Sequence, residues 1–409
     1  MIIAVQIRNF HVLISLCFAL SYSCCSRGQV INHAVESVKT NPKIVLGAEQ
    51  FSTYLPMLAN KRVGLVANHT SLVNGQHLVD TLRSQNVNIA CVFAPEHGFR
   101  GAADAGEKIA SGKDPKTGLP VVSLYGDNKK PTPAQLKDIG IVVFDIQDVG
   151  ARFYTYISTL SYVMEACAEQ NIPVLVLDRP NPNGHYFDGP VLEPAFSSFV
   201  GLHPVPIVHG MTVGEYAKMV NGEGWLKGGK KCNLTVIACK NWKRSDYYTV
   251  DVPPSPNLKS MNAIYLYPSL CLFEGTIVSM GRGTPKPFEV IGFPGNKEGS
   301  YKFTPVSGPG SKNPPYLNKE CTGFDLSGFG ESFIRNKGKI HLFWLLSLYQ
   351  AAPDKSKFFI PFFDKLAGTD ALRKQIEAGK TEAEIRESWE PGLAKFSVIR
   401  SKYLIYPEK

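Results

Sequence analysis

Short, continuously apolar segments alternate with helical segments in the first half of the chain, and this alternation restricts the folds available to it. Five apolar segments are predicted strands, at residues 61–67, 87–94, 119–124, 139–146 and 172–177. Strands that are apolar throughout are typical of a parallel sheet covered on both faces. Helical patterns include residues 158–170 and 212–221, the second with Thr212 as N-cap and Glu215 at the capping-box position. We therefore predict an α/β fold with a Rossmann-like parallel sheet.

The pattern changes after residue 246, which indicates a second domain. Residues 252–257 are proline-rich, glycine and proline stay frequent beyond them, and a helix-rich region begins near residue 339. A chain of 409 residues is long enough for two domains. We predict a Rossmann-like α/β catalytic domain at residues 43–246 and a smaller C-terminal α+β domain at 247–409 that closes a cleft.

The first residues resemble a targeting segment. Arg8 precedes an apolar stretch at residues 10–20, which has the length of a signal-peptide core and is too short to span a membrane. We predict a signal peptide at residues 1–24 and export to the periplasm. Cys24 also fits lipoprotein processing, so ordinary cleavage and a membrane tether through a lipidated Cys24 are both open.

Charge and composition narrow the function classes. The formal net charge is +9, but Lys and Arg are scattered without a run of five, which argues against a nucleic-acid surface. A content of 44% hydrophobic and 19% charged residues indicates a folded core rather than disorder.

Polar clusters follow the predicted strands. They are Asn68-His69-Thr70, PEHGFRG at 95–101, DIQDVGARFYTY at 145–156, DRPNPNG at 178–184, and His209-Gly210 after the apolar residues 204–208. Ligands of open α/β sheets bind at the carboxyl ends of the strands, so we expect these clusters to converge at one edge. The alternative is that the clusters are ordinary turn residues without a functional role. Asp145 and Asp178, for example, could cap helices or pair with Arg152 and Arg179. PEHGFRG is less readily explained as a turn, because it combines an acid, a histidine and an arginine.

The sequence lacks the motifs of several common nucleotide-binding and catalytic sites. The chain has no GxGxxG after the first strand, no GxxxxGK[ST] and no GxSxG, so neither a dinucleotide nor a serine nucleophile is indicated. His69, His97 and His209 could join Asp145 in a metal site, but no ligand spacing supports one. We expect neither a metal nor a cofactor.

Carboxylates are the abundant candidates for catalysis. Glu96, Asp145, Asp148, Asp178 and Glu274 all lie in polar motifs. Cleavage of a glycosidic bond requires two carboxyl groups, one that protonates the leaving oxygen and one that acts as base or nucleophile. Tyr154 and Tyr156 offer flat faces and hydroxyls suited to sugars, although simple packing is the alternative.

The chain resembles the exo-β-N-acetylmuramidase family of glycoside hydrolases. The similarity runs in order from about residue 45 to the C-terminus. It is carried by PEHGFRG, TGLPVVSLYG, DIQDVGARFYTY, LDRPNPNG, HGMTVGEYA, PPSPN and EGTIVSMGRGTPKPFEVIG. The resemblance implies release of terminal N-acetylmuramic acid from the non-reducing ends of peptidoglycan fragments in cell-wall recycling. It also implies a Rossmann-like domain joined to a smaller C-terminal domain, with the site in the cleft between them and Glu96 as the acid/base candidate.

The predicted roles follow from this resemblance and from the residue types. Glu96 is the acid, Glu274 or Asp148 is the second carboxylate, and His97 or His69 orients one of them. The lactyl carboxylate of muramic acid requires a cationic clamp, for which Arg100, Arg152 and Arg282 are candidates. The predicted substrate-binding residues are Asn68, His69, Arg100, Asp145, Arg152, Tyr154, Tyr156, Asp178, Arg179, Asn181, His209, Arg282 and Thr284.

Two functions from other classes are alternatives. A non-catalytic muropeptide-binding lipoprotein would keep the arginine and tyrosine contacts without requiring a tuned acid. A metal-dependent amidase or esterase would use the histidines.

Overall fold

Seven strands form the central sheet of the computed structural model, which describes residues 42–100 and 111–408. The strands of the chain are β1 Val63–Ala67, β2 Leu72–Val73, β3 Gln76–His77, β4 Ile89–Ala94, β5 Gly112–Lys113, β6 Pro120–Ser123, β7 Ile141–Asp145, β8 Val174–Leu177, β9 Asp188–Val191, β10 Pro206–Val208, β11 Leu234–Ile237, β12 Val290–Phe293, β13 Tyr301–Phe303 and β14 Cys321–Asp325. The predicted signal peptide at 1–24 and its Cys24 lie outside the described residues.

The α-helices cover the sheet and build much of the C-terminal part. They are α1 Phe51–Leu58, α2 Leu78–Ser84, α3 Tyr156–Glu169, α4 Val213–Gly222, α5 Met261–Leu270, α6 Arg335–Lys337, α7 Phe343–Ala351, α8 Phe362–Ala367, α9 Ala371–Glu377 and α10 Glu382–Ser401. The capping box predicted for α4 is confirmed: Thr212 Oγ1 accepts from the Glu215 amide at 3.2 Å, and Glu215 Oε2 accepts from the Thr212 amide at 2.9 Å. None of the described helices combines the length and the apolar composition needed to cross a membrane.

The sheet has the strand order β11-β8-β7-β1-β4-β6-β5, in which β5 alone runs antiparallel to its neighbour. Counting the six parallel strands along the chain, the order from the β6 side is 3-2-1-4-5-6, the Rossmann order. The predicted α/β fold is therefore confirmed. The order in which successive strands are added to the sheet reverses between β1 and β7. These two strands are parallel neighbours and pair from Val63↔Ile141 to Ala67↔Asp145. Ligands of such sheets bind outside this switch point.

Each central strand is apolar throughout because its alternate side chains enter two separate cores. In β1, Val66 packs with Phe93, Phe144 and the α3 residue Leu160 on one face. Leu65 packs on the opposite face with the α2 residue Leu78 and the rest of the second core. Burial on both faces explains why these segments show no polar alternation.

The apolar segment that precedes His209 lies outside the parallel sheet. Residues 204–208 contain β10, which pairs antiparallel with β9 through Pro206↔Val191 and Val208↔Asp188. His209 therefore does not follow a strand of the parallel sheet, contrary to the expectation that all the clusters end at one sheet edge. A five-residue apolar segment can form part of a two-stranded ribbon as well as of a larger sheet, so the sequence did not distinguish the two.

The C-terminal part is the predicted α+β arrangement. Strands β12, β14 and β13 form a small antiparallel sheet, with Val290↔Asp325 and Tyr301↔Gly323 as partners, and this part of the chain also contains helices α5 to α10. Tyr406 near the C-terminus returns to the larger sheet and donates to Asp178 Oδ2 at 2.5 Å. Contacts of the described residues from Lys43 onward form one unit, and the boundary between 246 and 247 stays a prediction.

Candidate active site

A cavity of about 560 Å³ lies at the carboxyl ends of β4, β6 and β7 and is completed by the C-terminal part. The side from the larger sheet contributes Glu96, His97, Tyr125, Phe153, Tyr154, Thr155, Tyr156, Phe199 and Val200. The facing side contributes Ser255, Leu258, Tyr267, Cys271, Glu274, Arg282, Phe288, Gly310, Ser311, Lys312, Asn313, Pro315, Phe362 and Leu366. The cavity thus takes residues from both predicted domains.

A tight turn after β4 places Glu96 at the cavity. The Gly98 amide donates to the Pro95 carbonyl at 3.0 Å, and His97 at the third position has a φ of +67°. Non-glycine residues adopt this left-handed conformation infrequently, and such strain is concentrated at functional sites. Thr155 Oγ1 donates to Glu96 Oε2 at 2.7 Å, which links the turn to the segment after β7.

Glu274 belongs to the 3₁₀ helix Cys271–Gly275, which continues α5. Its Oε1 accepts from Arg282 Nη2 at 2.6 Å, and the Arg282 guanidinium also lies 5.0 Å from the centre of the Phe288 ring. Burial lowers the pKa of Arg282, but the charge of Glu274 outweighs it and holds this pKa above its ordinary value.

The loop that carries Arg282 is fixed by its own turn. Gly281 and Gly283 on either side have φ values of +77° and +79°. A Cβ on Gly281 would lie 2.6 Å from a methyl of Val290, so both the conformation and the space require glycine there. Thr284 donates to the Gly281 carbonyl through its amide at 3.1 Å and its hydroxyl at 2.7 Å. Thr284 therefore shapes the loop from outside the cavity lining.

Glu96 and Glu274 act on the same neighbouring side chains. The pKa of the Tyr125 hydroxyl is raised first by burial, then by the negative charge of the nearby Glu96, and also by that of Glu274. The pKa of the Cys271 thiol is raised by burial and next by Glu274, with a further contribution from Glu96. Both glutamates thus face one region of the cavity.

Tyr154 and Tyr156 present rings to the cavity, but their hydroxyls are engaged elsewhere. Both hydroxyls donate to the Pro254 carbonyl, at 2.7 and 3.3 Å, and the two rings meet edge to face at 4.8 Å. His69 Nε2 bonds the neighbouring Pro253 carbonyl at 2.9 Å. These three side chains, all predicted to bind substrate, fasten the PPSPN segment across the end of the sheet.

The predicted residues at the switch point are buried in an ion pair rather than exposed to the cavity. Arg179 donates to Asp145 through Nε at 2.6 Å and Nη2 at 2.9 Å, and Nη2 also reaches the Leu72 carbonyl at 3.0 Å. Asn68 Oδ1 accepts from the Thr70 hydroxyl at 2.6 Å beside them. The place where a dinucleotide binds in other Rossmann folds is thus filled by protein hydrogen bonds.

Asp178 and Asn181, after β8, have structural partners. Asp178 accepts from the Thr212 hydroxyl at 2.7 Å and the Gly214 amide at 2.8 Å, in addition to Tyr406. Asn181 Nδ2 donates to the Met211 carbonyl at 2.8 Å. Both side chains therefore hold the start of α4 against the sheet, as the turn and cap alternative predicted.

Asp148 and His209 lie together in the interior and do not line the cavity. Asp148 Oδ2 accepts from the Gly150 amide at 2.6 Å and lies 3.8 Å from His209 Nε2. Burial raises the pKa of Asp148 to about 7, and burial followed by nearby arginines lowers the pKa of His209 to about 3. Of the two candidates for the second carboxylate, only Glu274 lines the cavity.

Two of the three candidate arginines are also placed away from the cavity lining. Arg152 is fully buried and donates to the carbonyls of Pro190, Val205, Leu366 and Ala367 at 2.7–3.0 Å. Arg100 binds Asp114 through Nε at 3.1 Å and Nη2 at 2.8 Å. Arg282 is the candidate that lines the cavity.

Four residues that line the cavity were not predicted as site residues from the sequence: Tyr125, Thr155, Cys271 and Phe199. Tyr125 follows β6 within SLYG, so the rule that polar residues follow strands would have included it. Thr155 lies in the sequence between Tyr154 and Tyr156, which were both predicted to bind substrate. Among residues 42–100 and 111–408, no group of three or more His, Cys, Asp or Glu side chains is arranged to hold a metal ion.

Comparisons with known proteins match most of the chain. Family models described as exo-beta-N-acetylmuramidase NamZ, N-terminal and C-terminal, match residues 63–262 and 265–406. The peptidoglycan beta-N-acetylmuramidase NamZ of Bacillus subtilis (strain 168) is 41% identical over 396 residues, which cover 89% of this chain and 92% of that protein.

Two solved structures, both of DUF1343 family proteins from Bacteroides fragilis NCTC 9343, have the same fold. One has a TM-score of 0.84 and 49% identity, and covers 90% of this chain and 100% of its own. The other has a TM-score of 0.77 and 30% identity, and covers 89% and 100%.

Proposed function

This chain belongs to the exo-β-N-acetylmuramidase NamZ family of glycoside hydrolases, and we propose that it uses Glu96 and Glu274 to release terminal N-acetylmuramic acid from the non-reducing ends of peptidoglycan fragments. The family predicted from the sequence motifs is thereby confirmed. The proposal rests on one observation: a glutamate that follows β4 of the larger sheet and a glutamate of the C-terminal part line the same cavity.

The ion pair of Glu274 with Arg282 assigns the two roles in this proposal. Arg282 Nη2 lies 2.6 Å from Glu274 Oε1, so a cation stands beside the carboxyl group that would act as base or nucleophile. The Thr155 hydroxyl lies 2.7 Å from Glu96 Oε2, and a hydroxyl can donate to a carboxylate or accept from a carboxylic acid. Glu96 therefore suits the general acid, which must hold a proton and then release it to the leaving oxygen.

The guanidinium of Arg282 also suits the lactyl carboxylate of the substrate. It has five N–H donors in a planar fork, and the recorded bond to Glu274 uses one nitrogen. The remaining donors can bind a second carboxylate beside the first. The tyrosine and phenylalanine rings of the cavity provide apolar surface for the sugar ring.

The acid role is tested with Glu96→Gln, which keeps the size of the side chain but removes its titration. We expect normal folding and a loss of roughly 10²–10⁴-fold in turnover of a muramic-acid-terminated disaccharide. Glu298→Gln, at an exposed loop position, is the matched control and should keep full activity. Near-wild-type turnover by Glu96→Gln would overturn the assignment.

We propose further that the protein is exported and that Cys24 is its lipidation site, which would place it as a membrane-tethered periplasmic enzyme. The support is the apolar stretch at 10–20 followed by small residues and Cys24. Labelling of expressing cells with a fatty acid should mark the wild type but not Cys24→Ser. Labelling of neither protein would leave ordinary signal cleavage as the explanation.

A further inference from the structure

Asn313 carries the only side-chain amide among the described residues that line the cavity. The residue is exposed, and its side chain forms no hydrogen bond within the part of the chain that the structure describes. A side-chain amide offers two donors on its nitrogen and an acceptor on its oxygen. These groups are therefore available to a ligand in the cavity.

Pro314 holds Asn313 beside Arg282. The proline is buried and its ring packs on Gly283, where a Cβ would lie 2.6 Å from Pro314 Cγ. Gly283 follows Arg282 and Pro314 follows Asn313, so this contact brings the two cavity residues to neighbouring positions of the lining. The Val306 amide donates to the Gly283 carbonyl at 2.9 Å at the same place. A proline also restricts the residue before it to extended conformations, which further fixes the backbone of Asn313.

The substrate has two substituents with the same neighbouring arrangement. N-acetylmuramic acid carries its acetamido group on carbon 2 and its lactyl ether on carbon 3, and these two ring carbons are bonded to each other. A side chain that binds the acetamido group must therefore lie next to the cation that binds the lactyl carboxylate.

From this arrangement we infer that Asn313 is a specificity-determining residue that binds the acetamido group, a role that rests on the proposed function and on Arg282 as the lactyl clamp. Its Nδ2 donates to the acetamido carbonyl, and its Oδ1 accepts from the acetamido N–H. The acetamido group needs both an acceptor and a donor, whereas an ionised glutamate only accepts and an arginine only donates. A neutral amide therefore matches this group better than the charged side chains of the cavity do.

The test compares inhibition by N-acetylmuramic acid with inhibition by muramic acid, which has a free amine at carbon 2. In mildly acidic buffer this amine is largely a cation, so it offers donors to Oδ1 but no acceptor to Nδ2. Both sugars share the ring and the lactyl group, so the ratio of their inhibition constants cancels any general damage to the cavity. We expect wild type to prefer N-acetylmuramic acid, and Asn313→Leu to lower this preference roughly three- to tenfold.

Asn313→Asp is a second variant with a sharper expectation. Its carboxylate cannot donate to the acetamido carbonyl but attracts the ammonium of muramic acid, so the preference should fall further than in Asn313→Leu. Asn336→Leu is the matched control, since it makes the same replacement at an exposed position of α6 outside the cavity lining. It should keep the wild-type ratio.

An unchanged ratio in Asn313→Leu would overturn the inference even if both inhibition constants rise, and so would a wild-type enzyme without a preference for the acetylated sugar. These outcomes are distinct from a failure of the proposed function, which would show as activity retained by Glu96→Gln. If Glu96→Gln is inactive and the ratio of Asn313→Leu is unchanged, only the role of Asn313 fails.

Discussion

Arg282 donates to Glu274 across 2.6 Å, and both side chains are largely buried at the cavity wall. The pair belongs to the C-terminal part, whereas Glu96 follows β4 of the larger sheet. The proposed reaction therefore requires both parts of the chain, and a fragment ending at residue 246 would lack the second carboxylate and its cation.

Replacement of Arg282 by Lys separates its two proposed roles. Lysine keeps the charge but lacks the planar fork that can bind two carboxylates at once. We expect inhibition by free N-acetylmuramic acid to weaken at least tenfold, because one bidentate contact with the lactyl carboxylate is worth about 1.5–3 kcal/mol. Inhibition by the lactyl amide, which lacks that charge, should change less than about threefold. Equal weakening for both compounds would show that Arg282 acts only through Glu274.

Asp148 predicts a specific pH dependence of stability. Its pKa is raised by burial to about 7, above the ordinary value of 3.8, so the unfolded chain ionises at lower pH than the folded protein. Stability from this group is fully present below pH 4 and is lost as the pH rises to 7. Asp148→Asn, which can still accept from the Gly150 amide, should therefore gain stability relative to wild type over this interval, by roughly 1.4 kcal/mol per pH unit at most.

The measurement is urea unfolding of both proteins at several pH values between 4 and 8. Asp138→Asn, at an exposed position, is the control and should give a difference that does not change with pH. A constant difference for Asp148→Asn as well would contradict burial as the cause.

Arg152 should be important for stability rather than for substrate binding. Its guanidinium is buried and binds four backbone carbonyls, two of them at the end of α8. Without the guanidinium, the four buried carbonyls have no hydrogen-bond donor. We therefore expect Arg152→Met to lose roughly 3–5 kcal/mol of unfolding free energy. Arg373→Met, which breaks a partly exposed pair with Asp364, should cost about 1 kcal/mol or less. Similar costs for both variants in denaturant unfolding would contradict this.

The sheet was predictable because its strands are buried on both faces, which leaves a continuous apolar signal in the sequence. The site was predictable only in part, since Glu96, Asp145 and Asp178 all follow strands and look alike locally. Whether such a side chain reaches the cavity depends on partners that are distant in sequence. Asp145 is paired with Arg179, and Asp178 is bound by Thr212 and Tyr406. No local pattern shows which strand end is filled by protein and which opens into a cavity.

His97 tests whether the strained turn after β4 costs stability. Its φ of +67° disfavours any residue with a Cβ, so glycine should be the better replacement. Both His97→Ala and His97→Gly remove the imidazole and all of its interactions, which leaves the backbone conformation as the main difference between them. We expect His97→Ala to be about 1 kcal/mol less stable than His97→Gly in urea unfolding. Gln85→Ala and Gln85→Gly, compared at a position with a φ of −92°, provide the control and should not favour glycine. If His97→Ala is the more stable variant of its pair, the turn is not strained, and strain can no longer be used as a sign of function at Glu96.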